Sequence, residues 1–254
     1  MTNVENIVKV MKFHSLVRVD KAKRKAEKYL KIGKELVEMI SEILYNKNFN
    51  LDKKILNSNE KGIELNIYVA NDLGFCGNFN SLVMKCAKED KEAKKIIIGS
   101  KIKSNYENVL LSISKEEYYN NFNKVEEVIY PLFINKEIKS ITVIYNHYYS
   151  VNDIELVHEK IFPTEIENKD INLNLDYVIE TDINMILTEL IILYIWYQLK
   201  IIECNSWASE NVMRERITRE SLKKIDEIKE EKIKEERKIK KQNDLKKIIS
   251  NYRK

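Results

Sequence analysis

From residue 181 to residue 252 the chain contains neither glycine nor proline. Those two residues end helices most readily, and without them the stretch reads as one continuous helix. At about 1.5 Å per residue such a helix runs to roughly 100 Å, far beyond the diameter of a small domain. Its first third, Ile183 to Ile202 (INMILTELIILYIWYQLKII), is nearly all apolar. The length suits a bilayer, but Glu189 near the middle and Lys200 near the end are costly there, so packing inside protein is expected. Its last third, Lys223 to Lys247, is mostly Lys and Glu with isolated Ile225, Ile228, Ile233 and Ile239. Glu230–Lys234 and Glu236–Lys240 have the favourable order for i,i+4 pairs. Acids interleave the bases, which points to a solvated helix with a thin apolar seam and not to a nucleic-acid patch.

Residues 4–44 read as a second long helix. Val4, Ile7, Val8 and Met11, then Leu36, Met39, Ile40, Ile43 and Leu44, recur at three- and four-residue steps among lysines and glutamates. Gly33 is the only breaker in that span, and a lone glycine is tolerated. Asn46, Asn48, Asn50 and Asp52 mark the loop that follows.

Between the two helices the texture changes. β-Branched runs at Ile63–Ala70, Lys95–Gly99 and Ile138–Tyr145 read as strands, with helical patterns at about 79–90 and 116–134, the second closing near Pro131. Strand–helix–strand alternation implies an α/β layer with parallel pairing. Pro163 ends this region and an Asn/Asp-rich linker, Glu167 to Asp176, follows. Two long helices with apolar stripes at opposite ends of the chain should pair as an antiparallel coiled coil. The expected organisation is a helix over 1–47, an α/β domain over 60–165 and a helix over 178–254.

Composition narrows the function. Gly 5 and Pro 2 in 254 residues exclude a turn-rich sandwich or barrel. Charged residues reach 33%, yet the net charge is only +4, unlike a dedicated nucleic-acid binder. Cys76, Cys86 and Cys204 form neither a disulfide framework nor a zinc pattern. Met1-Thr2-Asn3-Val4-Glu5 lacks the basic start and apolar run of a signal peptide. There is no GxxxxGK[ST], HExxH, GxSxG or GxGxxG. Gly74 and Gly77 after the first strand suggest a phosphate turn only weakly; a tight strand-to-helix crossover needing backbone freedom at two points is the plainer reading. Cys76, without a nearby histidine, reads as a buried small thiol and not a nucleophile. His14, His147 and His158 have no ligand spacing. Neither a catalytic site, a metal nor a cofactor is expected.

The stretch Asn71-Asp72-Leu73-Gly74-Phe75-Cys76-Gly77-Asn78-Phe79-Asn80-Ser81 resembles a signature of the gamma subunits of rotary F-type ATP synthases, close to S-D-R-G-L-C-G-G-F-N-S. Asp72, Gly74, Cys76, Gly77, Phe79, Asn80 and Ser81 match it; Asn71, Leu73, Phe75 and Asn78 depart. Ile7 to Lys12 resembles that family's I-T-K-A-M-K, Ile144-Tyr145-Asn146 with Ser150 its Y-N-x-F-x-S, and Ser209-Glu210 with Arg214 its S-E-x-x-x-R. After Arg214 the likeness fades, and Glu215 to Ile225 reads ERITRESLKKI.

The resemblance implies a long antiparallel coiled coil flanking a small Rossmann-like α/β domain. It implies a non-catalytic rotor shaft inside a ring of alpha and beta subunits, with an epsilon-like subunit and a c-ring at its foot. The chain would be a peripheral membrane protein, on the cytoplasmic face of a bacterial plasma membrane or the matrix face of the mitochondrial inner membrane. Lys9, Met11, Lys12, Ser209, Glu210 and Arg214 would be the coupling contacts of the shaft, and Asp72, Gly74, Cys76, Gly77, Phe79 and Asn80 the signature loop. Met11 reads equally as coiled-coil core, and Arg214 as the i,i+4 partner of Glu210. Three other readings stay open: a specialised F-type-like ATPase motor without ordinary proton-driven synthesis, a coiled-coil scaffold that transmits no torque, and a nucleotide-binding enzyme using the Gly74–Gly77 turn.

Overall fold

The computed structural model describes residues 2–46, 51, 59–102, 105–164 and 182–252. The loop positions Asn48, Asn50 and Asp52, the linker Glu167–Asp176 and the domain limits at 47, 165, 178 and 254 lie outside the described residues. In chain order the elements are α1 (Thr2–Tyr45), β1 (Ile63–Val69), α2 (Phe79–Glu89), β2 (Lys94–Ile98), β3 (Val109–Ile113), α3 (Lys115–Asn120), α4 (Asn123–Ile134), β4 (Ile138–Tyr148), β5 (Ile154–Phe162) and α5 (Ile183–Tyr252).

α5 is 70 residues long, about 105 Å at helical rise, and unbroken as its composition demands. α1 packs antiparallel along it. The register is fixed by the Glu5–Lys229 ion pair, by Lys12 3.9 Å from Glu215, by the Tyr29 ring against that of Tyr197, and by Gly33 beside Ile201.

The seam on α1 follows the stripe of large apolar residues in part: Leu36 and Ile40 are buried, and Val8, Met11, Ile43 and Leu44 half-buried. Val4, Ile7 and Met39 are 61%, 59% and 49% exposed. The residues turned to α5 are Ser15, Val19, Ala22, Ala26, Gly33, Leu36 and Ile40, which keep the alternating three- and four-residue steps of a heptad. Small side chains at Ser15, Ala22, Ala26 and Gly33 face a stretch of α5 that buries Cys204, Ala208 and Val212, which lets the two helices approach closely.

The sheet has the order β3-β2-β1-β4-β5. β1 pairs parallel with β2 and β4, β2 parallel with β3, and β4 antiparallel with β5. The three strands read from the sequence pair parallel as expected, and β5 adds an antiparallel pair at the edge. Tyr149 to Asp153 turn the chain directly back, which requires no crossover helix. The predicted helix over 116–134 is two helices: Asn121 leaves helical geometry between α3 and α4, while Pro131 sits inside the last turn of α4.

One sheet face (Leu65, Ile67, Val69, Ile96, Ile98, Ile141, Val143) shares a core with α4 and with Leu187, Ile191, Ile195, Leu199 and Ile202 of α5. The other face (Tyr68, Ala70, Ile97, Ile144) packs on Val83 and Ala87 of α2. By length and composition the start of α5 is apolar enough to cross a membrane, and it spends those side chains on the sheet.

Candidate functional site: the joint between the signature loop and the long helix

β1 ends at Val69, and the chain must reverse into α2 within a few residues. Two positions in that crossover adopt positive φ, Phe75 at 60° and Gly77 at 59°. Gly74 does not, so the backbone freedom expected at the two glycines falls on Phe75 and Gly77. A Cβ on Gly77 would lie 3.3 Å from Ile217 Cδ1 and 3.6 Å from Met213 Cε, so the loop rests directly on α5.

The loop holds itself together with polar groups. The Asn80 side-chain amide donates to Asn71 Oδ1 at 2.6 Å, and the Asn71 backbone N–H donates back to Asn80 Oδ1 at 3.1 Å. Asn71 Nδ2 lies 2.9 Å from the sulfur of Cys76, a thiol only 3% exposed that reaches the Leu73 carbonyl. Asp72 accepts from the backbone N–H groups of Ser100, Lys115 and Glu116. Lys115 and Glu116 open α3, where N–H groups have no intrahelical acceptor, so a carboxylate there satisfies two orphan donors. Burial works to raise the Asp72 pKa, but these N–H donors win and hold it below the usual aspartate value. Ser114 completes the cap by accepting from Glu117 N–H.

α5 meets this loop with Ser209, Glu210 and Arg214, which are 0%, 4% and 4% exposed. The Arg214 guanidinium lies 2.6 Å from Glu210 Oε1, and its Nε and Nη2 each reach the Gly74 carbonyl at 3.4 Å. The other Glu210 oxygen takes the Lys115 ammonium at 3.0 Å. Burial pushes the Glu210 carboxyl up, but Lys115 and Arg214 outweigh it and hold the group below its ordinary value. Ser209 Oγ lies 2.6 Å from the Asn146 carbonyl at the end of β4, and the Asn146 amide donates to the Phe79 carbonyl at the start of α2. Three elements (α2, α3 and β4) and the loop therefore close on the stretch of α5 from Ser209 to Arg214.

Two turns earlier Glu203 is 4% exposed; one of its oxygens has no partner, and the hydroxyl of Tyr119 meets the carboxyl. Burial pushes its pKa up, against the pull of Lys115 and Lys25. The thiol of neighbouring Cys204 is pushed up to about 12, first by burial and then by Glu203.

The residues carried over from the resemblance thus divide. Ser209, Glu210, Arg214, Asp72, Gly74, Cys76, Gly77, Phe79 and Asn80 are brought together at the joint. Lys9, Met11 and Lys12 stand further along α1: Lys9 is exposed and pairs with Glu5 at 2.8 Å, Met11 is half-buried, and Lys12 points to Glu215. Glu5, held by Lys229 and Lys9, is lowered to about 2. The intrahelix pairing of Arg214 with Glu210 is present. Sequence reasoning missed Lys115 and Asn146 as joint residues, although Ser114-Lys115-Glu116-Glu117 carries the S-x-x-E spacing of a capping box. Among the described residues no group of three or more His, Cys, Asp or Glu side chains is placed to hold a metal.

Comparison with known proteins meets this geometry. The family model described as ATP synthase matches residues 1–250. The ATP synthase gamma chain of Clostridium botulinum is 28% identical over 229 residues, covering 84% of this chain and 79% of that one. The gamma chain of Pelagibacter ubique is 27% identical over 213 residues, with 74% and 72% covered. A chain in the structure of the Tetrahymena thermophila mitochondrial ATP synthase central stalk and c-ring superposes with a TM-score of 0.58 at 16% identity, over 85% of this chain and 99% of that one; that likeness concerns the fold. With its paired terminal helices, its five-stranded α/β body and the loop that joins them, the chain belongs to the ATP synthase gamma chain family, as the non-catalytic central-stalk subunit of an F-type ATP synthase.

Proposed function

We propose that this subunit passes torque between its α/β body and its helix pair through the joint at Glu210. The observation that supports it is the burial of Lys115, Glu210 and Arg214 with the Gly74 carbonyl between the body and α5. A rotor needs its foot and shaft to turn as one piece. A buried cluster of two cations on one carboxylate resists rearrangement because separating the carboxylate from either cation leaves a charge without its partner in a dry site. Beyond the joint the shaft enters a ring of alpha and beta subunits, and the body stands on an epsilon-like subunit and a c-ring. The side of the membrane is the cytoplasmic face of a bacterial plasma membrane, or the matrix face in a mitochondrion.

Each shaft angle must favour one nucleotide-site conformation by several kcal/mol to shift its population decisively. Lys9, Met11 and Lys12 lie where the shaft leaves the body and face outward enough to meet beta-subunit loops. Val10, Phe13 and Val17, on the α1 face away from the seam, are 54%, 65% and 49% exposed, an apolar surface that a surrounding ring would cover.

The test is ATP hydrolysis by the alpha–beta ring assembled with wild-type chain and with Met11→Lys at matched occupancy. A torque-transmitting shaft predicts normal assembly with slowed or uncoupled hydrolysis in the variant, because a new charge beside the Lys12–Glu215 pair is tolerated at some angles and not others. An inert scaffold predicts an assembly defect alone. Measurement of proton pumping by the same complex separates an ordinary synthase from a specialised motor.

A further inference from the structure

Among the described residues, two buried side-chain polar atoms have no hydrogen-bond partner: Glu203 Oε1 and Ser206 Oγ. With Glu210 these residues stand at i, i+3 and i+7 along α5, so all three share one face of the helix within about two turns. Buried polar atoms without a partner are costly, and two of them on one face mark a place that a donor is able to serve. Lys115 is such a donor. It is itself buried at the start of α3, and its ammonium carries three N–H groups. It now lies 3.0 Å from Glu210 Oε2, and its charge is the strongest of those drawing the Glu203 carboxyl toward ionisation.

The charge of the joint points the same way. Lys115 and Arg214 share the single carboxylate of Glu210, which leaves one positive charge uncompensated. Glu203, on the same face of α5, cancels it when ionised, and burial is what opposes that step. The groups around Glu203 are Lys25 from α1, Lys115, Tyr118 and Tyr119 from α3, and Cys204 and Glu210 from α5 itself. Lys25 is engaged elsewhere, with its ammonium 4.6 Å from the centre of the Tyr119 ring and 5.7 Å from that of Tyr29. Burial keeps Tyr118, Tyr119 and Cys204 neutral, while Glu210 stays ionised between its two cations. Lys115 is therefore the cation free to move, on a flexible four-carbon stem that carries its ammonium without shifting the backbone.

We propose that Lys115 exchanges between two seats on α5: Glu210 while Glu203 is protonated, and Glu203 with Ser206 once Glu203 has lost its proton to solvent. In the second seat Glu203 Oε1 and Ser206 Oγ gain a donor, and Glu210 keeps Arg214 alone. The body then loses its α3 tie to the Glu210–Arg214 pair, so the joint loosens as pH rises through the ionisation of Glu203. The exchange concerns this chain by itself; its effect on torque rests on the proposed role of the joint.

The test is an NMR titration of the full chain from about pH 5 to about pH 9, a range that takes in the raised values of buried carboxyls. Glutamate carboxyl carbons and lysine Nζ are labelled, and Lys115→Arg, Glu203→Gln and Glu210→Asp assign the three signals by their loss. The exchange predicts that Glu203 titrates, that the Lys115 and Glu210 signals move with the same midpoint, and that neither moves in Glu203→Gln. Ser206→Ala removes one acceptor of the second seat and should raise that midpoint by about half a unit to one unit. A Glu203 signal that does not titrate by about pH 9 overturns the exchange. So does titration of Glu203 with Lys115 and Glu210 unmoved, which is what a bridging water alone would give. Bead rotation by the assembled complex at the two ends of the range then reads the consequence. Wild type should match Glu203→Gln in torque at the acid end and fall below it at the alkaline end. A shared midpoint with no such fall leaves the exchange standing and removes the joint as the path of torque.

Discussion

Glu210 is the residue on which the joint depends, because each of its oxygens serves a cation from a different element. Lys115→Met takes one of those cations away and leaves Glu210 underpaired in a dry site. Denaturant unfolding should show a loss of about 3 kcal/mol, and the double change Lys115→Met with Glu210→Met should cost less than the sum of the singles. Glu203 gives a second residue-scale prediction. Its folded pKa lies above the unfolded value of 4.5, so the native state holds that proton more tightly. The stability this supplies is fully present below the unfolded pKa and is lost as pH rises through the folded one. Lys25, Lys115, Tyr118, Tyr119, Cys204 and Glu210 face the group or lie near it, and the two lysines and the Tyr119 hydroxyl favour its ionisation without overcoming burial. Glu203→Gln should therefore match wild type near pH 4 and melt a few degrees higher near pH 8 by calorimetry. A melting difference of the same size at both pH values would show that packing, not ionisation, is responsible.

At the scale of elements, Gly33 and Gly77 behave oppositely although both lie against α5. A Cβ at Gly33 would meet Ile201 Cδ1 at 3.8 Å, an ordinary contact, and the residue is helical. Gly33→Ala should stabilise the chain by about 0.5–1 kcal/mol through the unfolded state. Gly77→Ala forces a side chain into positive φ and against Ile217, and should destabilise by about 1–2 kcal/mol; both are read from denaturant midpoints. The two long helices and three of the five strands were legible in the sequence because Gly33 is the only glycine or proline in those helices and β-branched runs mark the strands. β3 and β5 were not: Val109–Ile113 is a short edge strand, and Ile154–Phe162 interleaves Glu155, His158, Glu159 and Lys160 with its apolar residues. The α1 seam was legible at Leu36 and Ile40 and not at Ser15, Ala22 and Ala26. Apolar periodicity weights large residues, whereas close helix packing selects the small ones between them. The joint was legible as two motifs and illegible as one site, since Gly74 and Arg214 are 140 residues apart and only the fold brings them into contact.

At the scale of the whole molecule, stiffness and asymmetry come from one fact: α5 is both a core helix of the body and the longer half of the shaft. The body cannot tilt on the shaft without pulling Ile191, Ile195 and Leu199 out of the core, and it cannot twist about the shaft without breaking the joint. A rod of this design contributes no catalytic group, so the purified chain should hydrolyse no ATP; turnover that persists after removal of beta-like subunits would contradict that. The most direct measurement of torque transfer is bead rotation in an assembled, ATP-driven complex, with the bead fixed to the α/β body and the alpha–beta ring fixed to the surface. Wild-type chain should turn the bead under viscous load. A chain carrying Lys115→Met and Arg214→Met should hydrolyse ATP yet turn the bead with clearly lower torque, because the body slips on its shaft. Equal torque from the two chains at equal hydrolysis would contradict the assignment of the joint as the path of torque.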